Sequence, residues 1–171
     1  NVQNIRRYAL RWVTGLSAFC LGAAALAQQD VSVRPEVVAS GLQNPWGMAF
    51  VDGGVLVTER AGRLRWVSPT GAVGAPISGL PPIEDGGQGG LLDLMADSAF
   101  ASNRRVYLCY SEPASDGSGN STALGSARLS DDGRRLEQFR VLFSQRPKVA
   151  SRLHFGCRIV ESPEEIGRAH V

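Results

Sequence analysis

Short apolar runs broken by glycine turns recur through this sequence in one fixed order, and that repetition limits the fold more than any other feature. Trp46-Gly47-Met48-Ala49-Phe50 is a compact apolar strand, Asp52-Gly53-Gly54 signals a hairpin, and Val55-Leu56-Val57-Thr58-Glu59 returns. Ala61-Gly62 turns the chain again, and Arg63-Leu64-Arg65-Trp66-Val67 alternates polar and apolar residues as a half-buried strand does. Residues 72–80 are expected to form a weaker outer strand before Pro81-Pro82. The order then repeats. Gly90-Leu91-Leu92-Asp93-Leu94-Met95 is the next inner strand, residues 96–103 a loop, and Arg105-Val106-Tyr107-Leu108-Cys109-Tyr110 the return. Residues 122–129 and 136–143 supply the third and outer strands, and another inner strand begins near Phe155. Gly47 and Gly90 lie about 43 residues apart, within the period of propeller blades.

Two such meanders, each opening on its most apolar strand, predict an all-β fold of β-propeller blades: about two blades plus the start of a third. A sandwich or barrel of similar hairpins is the competing architecture. The repeated strand order favours the propeller, and the cysteine and tryptophan pattern is not that of an immunoglobulin-like sandwich. An arc of this size leaves an open edge.

The composition is globular, with 43% hydrophobic and 20% charged residues in 171. The formal charge of +2 is modest, and no basic stripe interleaved with aromatics appears, so nucleic acid is not an expected partner. Arg6, Arg7 and Arg11 precede an apolar run from Trp12 to Leu26, and Ala25-Leu26-Ala27 is a small-x-small cleavage pattern. Residues 1–27 therefore read as a signal peptide for a periplasmic protein. The run is too short for a stable membrane anchor. The domain proper is assigned to residues 28–160. Glu161-Ser162-Pro163-Glu164-Glu165 breaks the strand pattern, and Ile166-Gly167-Arg168-Ala169-His170-Val171 resembles a translated sequencing adapter. Residues 161–171 are accordingly expected to be a break and a non-native tail, and His170 receives no chemical role.

Two cysteines remain in the domain, Cys109 and Cys157, each inside an expected strand. They could pair in an oxidising compartment or stay as buried thiols, and no metal-ligand spacing is present. Gln88 sits among four glycines in Gly86-Gly87-Gln88-Gly89-Gly90, at the mouth of an inner strand. An uncharged amide on such a turn is either a hydrogen-bonding probe into a cavity or a solvated loop residue. His154, in Leu153-His154-Phe155-Gly156, stands at the mouth of the next inner strand, where a structural histidine is the alternative. Asp93, in an otherwise apolar strand, needs partners and reads as a structural tie to a neighbouring blade. Glu59-Arg60 reads as a surface pair of little weight, and Trp46 and Trp66 as core or inter-blade packing.

Four stretches in order carry a resemblance: Asn44-Pro45-Trp46-Gly47-Met48-Ala49-Phe50, Leu56-Val57-Thr58-Glu59-Arg60-Ala61-Gly62-Arg63-Leu64, Gly87-Gln88-Gly89-Gly90-Leu91-Leu92-Asp93 and His154-Phe155-Gly156-Cys157-Arg158-Ile159-Val160. Together they resemble the N-terminal part of the soluble aldose sugar dehydrogenases in the glucose/sorbosone dehydrogenase family. The resemblance implies a six-bladed propeller using pyrroloquinoline quinone (PQQ) and calcium, with an aldose as substrate and an external electron acceptor. It implies that His154 is the catalytic base and that Gln88 lies beside the quinone and the sugar. No metal ligand is carried over to this chain. Some family members have a carboxylate just before the base, where this sequence has Leu153. The segment alone is expected to be inactive. The alternative is a non-catalytic secreted propeller that binds carbohydrate or protein, since one fold hosts both classes.

Overall fold

The computed structural model describes residues 32–162 and the backbone of 168–170. The expected leader, residues 1–27 with Cys20, lies outside the described residues. The chain divides into two units, Asn1–Glu36 and Val37–Val171, and every strand described below belongs to the second.

Three antiparallel strands, β1 (Pro45–Val51), β2 (Gly54–Glu59) and β3 (Arg63–Val67), form the first sheet in sequence order. The second sheet runs β4 (Leu91–Ala96), β5 (Arg105–Pro113), β6 (Asn120–Leu129) and β7 (Leu136–Ser144). A short strand β8 (Arg158–Val160) follows and pairs with β9 (Arg168–His170), Ile159 opposite Ala169. Backbone pairing thus resumes after residues 163–167, which lie outside the described residues.

Period-two alternation explains why β5 and β6 of the second sheet are buried on both faces, while the outer strand β7 is largely exposed. Val106, Leu108 and Tyr110 of β5 join Leu56, Leu64, Leu91 and Leu129 in a core shared with the first sheet. Tyr107 and Cys109, on the opposite face, pack with Leu124 and Ile159, so they face β8. A strand flanked by two sheets carries apolar side chains at consecutive positions, as β5 does. Each leucine so buried contributes on the order of 2 kcal/mol.

Polar ties join successive inner strands. The Thr58 hydroxyl accepts from the Gly47 amide at 2.8 Å and donates to the Leu92 carbonyl at 2.6 Å, linking the first sheet to β4. Asp93 does the same one step on. Its carboxylate accepts from the Ile159 amide at 2.6 Å and from Arg158 at 3.2 Å, which is the backbone tie expected of a carboxylate buried in an apolar strand. Glu161 then accepts from the amide and hydroxyl of Ser98.

Several expectations are corrected. Residues 72–80 form no continuous outer strand, only isolated bridges of Val73 to Val67, Ile77 to Leu64 and Ser78 to Arg135. Pro76 lacks a ladder donor, and the Gly74 carbonyl is taken by the Arg65 side chain. The 96–103 loop contains a helical turn, α1 (Phe100–Asn103). Asp97 builds it, accepting from the Ala99 amide and the Asn103 side chain while the Tyr107 hydroxyl binds its other oxygen. Cys157 precedes β8 rather than lying within it. Trp46 is 49% exposed and shares an uncovered β1 face with Met48 and Phe50, whereas Trp66 packs on the core as expected.

The Glu59-Arg60 surface pair does not exist. Glu59 is fully buried, and its carboxylate accepts from the Gln43 amide, from Arg63 at 2.6 Å and from Arg65 at 3.4 Å. Arg60 turns away toward a different loop.

Two predictions follow from these ties. Replacing Asp93 by Ala orphans the Ile159 amide and should cost about 2–3 kcal/mol in urea denaturation; a loss near zero would show that the tie carries no stability. Burial pushes the Glu59 carboxyl up, but hydrogen bonds from Arg63 and the Gln43 amide, with the charges of Arg63 and Arg65, outweigh it and hold the group below its ordinary value of 4.5. A depressed folded-state value means stability that is complete above about pH 4.5 and lost as pH falls through the folded value. Wild type should therefore exceed Glu59→Gln in thermal stability at pH 7, with the gap closing below pH 4.5; a pH-independent gap would refute the assignment.

Candidate functional site

Antiparallel connectivity sorts the loops to two ends of the sheets. The β2–β3 turn, the segment before β4, the β5–β6 loop and the segment before β8 share one end. There Arg60 and Leu91, Asn120 and Val149, and Gln88 and Arg152 are joined through backbone hydrogen bonds. Both Gln88 and His154 belong to this end.

The glycine stretch is wedged between two backbones. Gly87 has φ 60°, and a Cβ there would stand 2.3 Å from the Arg152 carbonyl oxygen. Gly90 has φ 139°, and its Cβ would stand 2.2 Å from the Arg60 carbonyl oxygen. Only glycine permits both approaches. The loop is closed internally by Glu84, whose amide donates to Ser111 O at 2.9 Å and whose carboxylate accepts from the Gly86 amide.

Gln88 is thereby fixed against the His154 segment by two bonds. Its amide N–H donates to Arg152 O at 2.9 Å, and its side-chain Oε1 accepts from the His154 backbone N–H at 2.7 Å. The structure thus brings the two sequence-predicted residues together, but through the histidine's main chain. The glutamine amide, which the sequence left as either a probe into a cavity or a solvated loop group, has its oxygen engaged; Nε2 has no hydrogen-bond partner among the described residues. His154 takes the left-handed conformation at φ 65°, a strained choice for a residue with a Cβ. Leu153, in place of a preceding carboxylate, is exposed, so what orients His154 here is the backbone bond to Gln88. The imidazole is exposed and lines a cleft of about 200 Å³ with Asn120, Thr122, Gln145 and Phe155.

The segment carrying His154 is anchored on both sides. Upstream, Lys148 donates to Glu112 Oε2 at 2.6 Å and to the Ser121 hydroxyl at 3.0 Å, while Asn120 holds Ser151 O at 3.1 Å. Burial acts to raise the Glu112 carboxyl, but bonds from Lys148 and Ser144 with the Lys148 charge bring it below its ordinary value. Downstream, Cys157 is disulfide-bonded to Cys109 of β5, resolving the choice the sequence left open. Closing a loop of 48 residues is worth roughly 4 kcal/mol in the chain-entropy account.

Sequence reasoning missed Arg60. Its Nη1 donates to the carbonyls of Asp85, Gly87 and Gly89, at 3.2, 2.5 and 3.0 Å. The only local signal is a cation in the tight Glu59-Arg60-Ala61-Gly62-Arg63 turn; nothing nearby announces that a loop 25 residues on wraps around it. A larger cleft, of about 790 Å³, lies at the opposite end among Asp52, Trp66, Arg104 and Asp131, remote from Gln88 and His154. Among the described residues no group of three or more His, Cys, Asp or Glu side chains could hold a metal ion. No described helix is long and apolar enough to cross a membrane.

Comparison with known proteins gives this arrangement its context. The family described as Glucose / Sorbosone dehydrogenase matches residues 42–166. The chain is 42% identical over 143 residues to the aldose sugar dehydrogenase YliI of Escherichia coli (strain K12), covering 82% of this chain and 38% of that protein. It superposes on the soluble aldose sugar dehydrogenase from Escherichia coli in the apo-form with TM-score 0.68 at 43% identity, over 73% of this chain and 36% of that one. The PQQ-bound form of an aldose sugar dehydrogenase from Streptomyces coelicolor matches with TM-score 0.64 at 26% identity, over 75% and 38% of the two chains. The chain spans under two fifths of each of these relatives. Its described sheets are an arc of an all-β propeller, and the chain belongs to the glucose/sorbosone dehydrogenase family.

Proposed function

We propose that the complete protein is a periplasmic, PQQ-dependent dehydrogenase that oxidises aldose sugars at the anomeric hydroxyl to the lactone, and that this segment supplies its general base. The observation that carries the reading is the bond between Gln88 Oε1 and the His154 amide, which seats a strained histidine at the loop end of the inner strands with its imidazole open to a cleft. The reaction removes a proton from the anomeric hydroxyl and a hydride from the anomeric carbon. The His154 imidazole accepts the proton, a task suited to neutral histidine. PQQ, when bound, supplies the hydride acceptor.

The residues present fit a polar cofactor at this end: Gln88 keeps two amide N–H donors for a carbonyl or carboxylate. Calcium, in this reading, is held by residues beyond the described ones. The electrons pass on to an external acceptor. The Cys109–Cys157 disulfide supports secretion, since such bonds persist in oxidising compartments.

The test is dye reduction by the complete protein supplied with PQQ, calcium and an aldose. His154→Ala should lower kcat by about two to four orders of magnitude while the protein stays folded. Undiminished turnover in that variant would remove His154 from the mechanism. Absence of turnover across a sugar panel in wild type would instead favour a carbohydrate- or protein-binding propeller.

A further inference from the structure

We propose that Arg60 is a positioning residue of this site: its guanidinium clamps the glycine loop so that Gln88 can hold His154 in its left-handed conformation. Arg60 lies in the β2–β3 turn of the first sheet, whereas Gln88 and His154 precede the inner strands of the next two. Among the described residues it hydrogen-bonds neither of them. Its reach is through the loop carbonyls of Asp85, Gly87 and Gly89, which converge on Nη1.

The chemistry of the convergence calls for a cation. Three carbonyl dipoles aimed at one point repel one another, and among the described residues no other donor bonds them. Nη1 has two protons to share among the three, and the delocalised positive charge covers the remaining demand. The main chain of Arg60 completes the grip. Its carbonyl accepts from the Leu91 amide at 2.9 Å, and Gly90 is pressed against that same oxygen. The loop is therefore held from below by Arg60 and from the far side by Arg152 O, and Gln88 stands between the two holds. A neutral side chain at position 60 would leave three unpaired carbonyls facing one another. The loop would relax outward, and the bond from Gln88 Oε1 to the His154 amide would lengthen. Displacing a base by about 1 Å can cost a hundredfold in rate.

The catalytic half of this inference rests on the dehydrogenase reading above; the clamp itself does not. The experiment compares Arg60→Met and Arg60→Lys with wild type in the complete protein, by amide hydrogen exchange and by steady-state kinetics. In Arg60→Met, exchange should accelerate by about tenfold in peptides covering 84–90 and also in those covering 152–156. Turnover should fall by about tenfold to a hundredfold with sugar KM within about threefold, because the loss concerns orientation rather than sugar contacts. Arg60→Lys, which restores a cation, should recover most of both effects, and it carries the test if the Met variant fails to fold. Unchanged exchange at 84–90 overturns the clamp. Acceleration at 84–90 alone, with 152–156 still protected, overturns its coupling to His154. Faster exchange in both with unaltered kcat overturns the positioning role. If wild type shows no sugar turnover, the dehydrogenase reading fails, and the exchange data still decide the clamp.

Discussion

Adjacent inner strands of this protein are not hydrogen-bonded to one another along a ladder, so the sheets are held in series by side chains that borrow backbone groups across the seam. Thr58 does this between the first and second sheets and Asp93 between the second sheet and β8. Each is buried in apolar surroundings, where an unmade bond is costly and a made one is geometrically strict. The consequence reaches the loops. Because Thr58 and Asp93 fix where one inner strand meets the next, they also fix where the segments before those strands emerge, and Gln88 and His154 ride on those segments.

The same logic assigns a use to polar residues that otherwise look out of place. Asp93, Asp97 and Glu59 are all buried carboxylates, and each gathers several donors: amides and guanidinium groups for Asp93 and Glu59, an amide, a carboxamide and a phenol for Asp97. None stands beside His154. They are fasteners of turns and seams.

Much of this was legible in the residues because the strands obey simple rules. Alternation in Arg63–Val67 and the glycine turns at 53–54 and 61–62 mark the first hairpins, and the apolar run of Leu91–Leu94 with its lone Asp93 marks a seam. What the sequence hid was non-local. Residues 72–80 have strand-like composition, yet a proline and a carbonyl captured by Arg65 interrupt the ladder. Glu59 and Arg60 look like neighbours on a surface, and one turns inward to two arginines while the other crosses to a loop from the next sheet. A disulfide partner depends on Cα positions 48 residues apart in sequence, which no local pattern encodes. Trp46 exposes a ring on the β1 face that the described residues leave uncovered, and a propeller closes such faces only with the remaining blades of its ring.

The strand that carries the most consequence is among the shortest. β8 has three residues, too few for its own ladder to fix the segment before it. Its position is instead set by ties of different chemistry on every side: the Asp93 carboxylate on the Ile159 amide, Ile159 packed with Tyr107 and Leu124, Glu161 on Ser98, and the covalent bond from Cys157 to β5. A left-handed His154 three residues upstream of Cys157 is a conformation the backbone does not choose unaided; it costs roughly 1–2 kcal/mol. The disulfide on one side and the Gln88 bond on the other supply more than that amount, which is how a strained residue stays in place on an exposed loop. Loosening either side releases the strain, and the histidine with it.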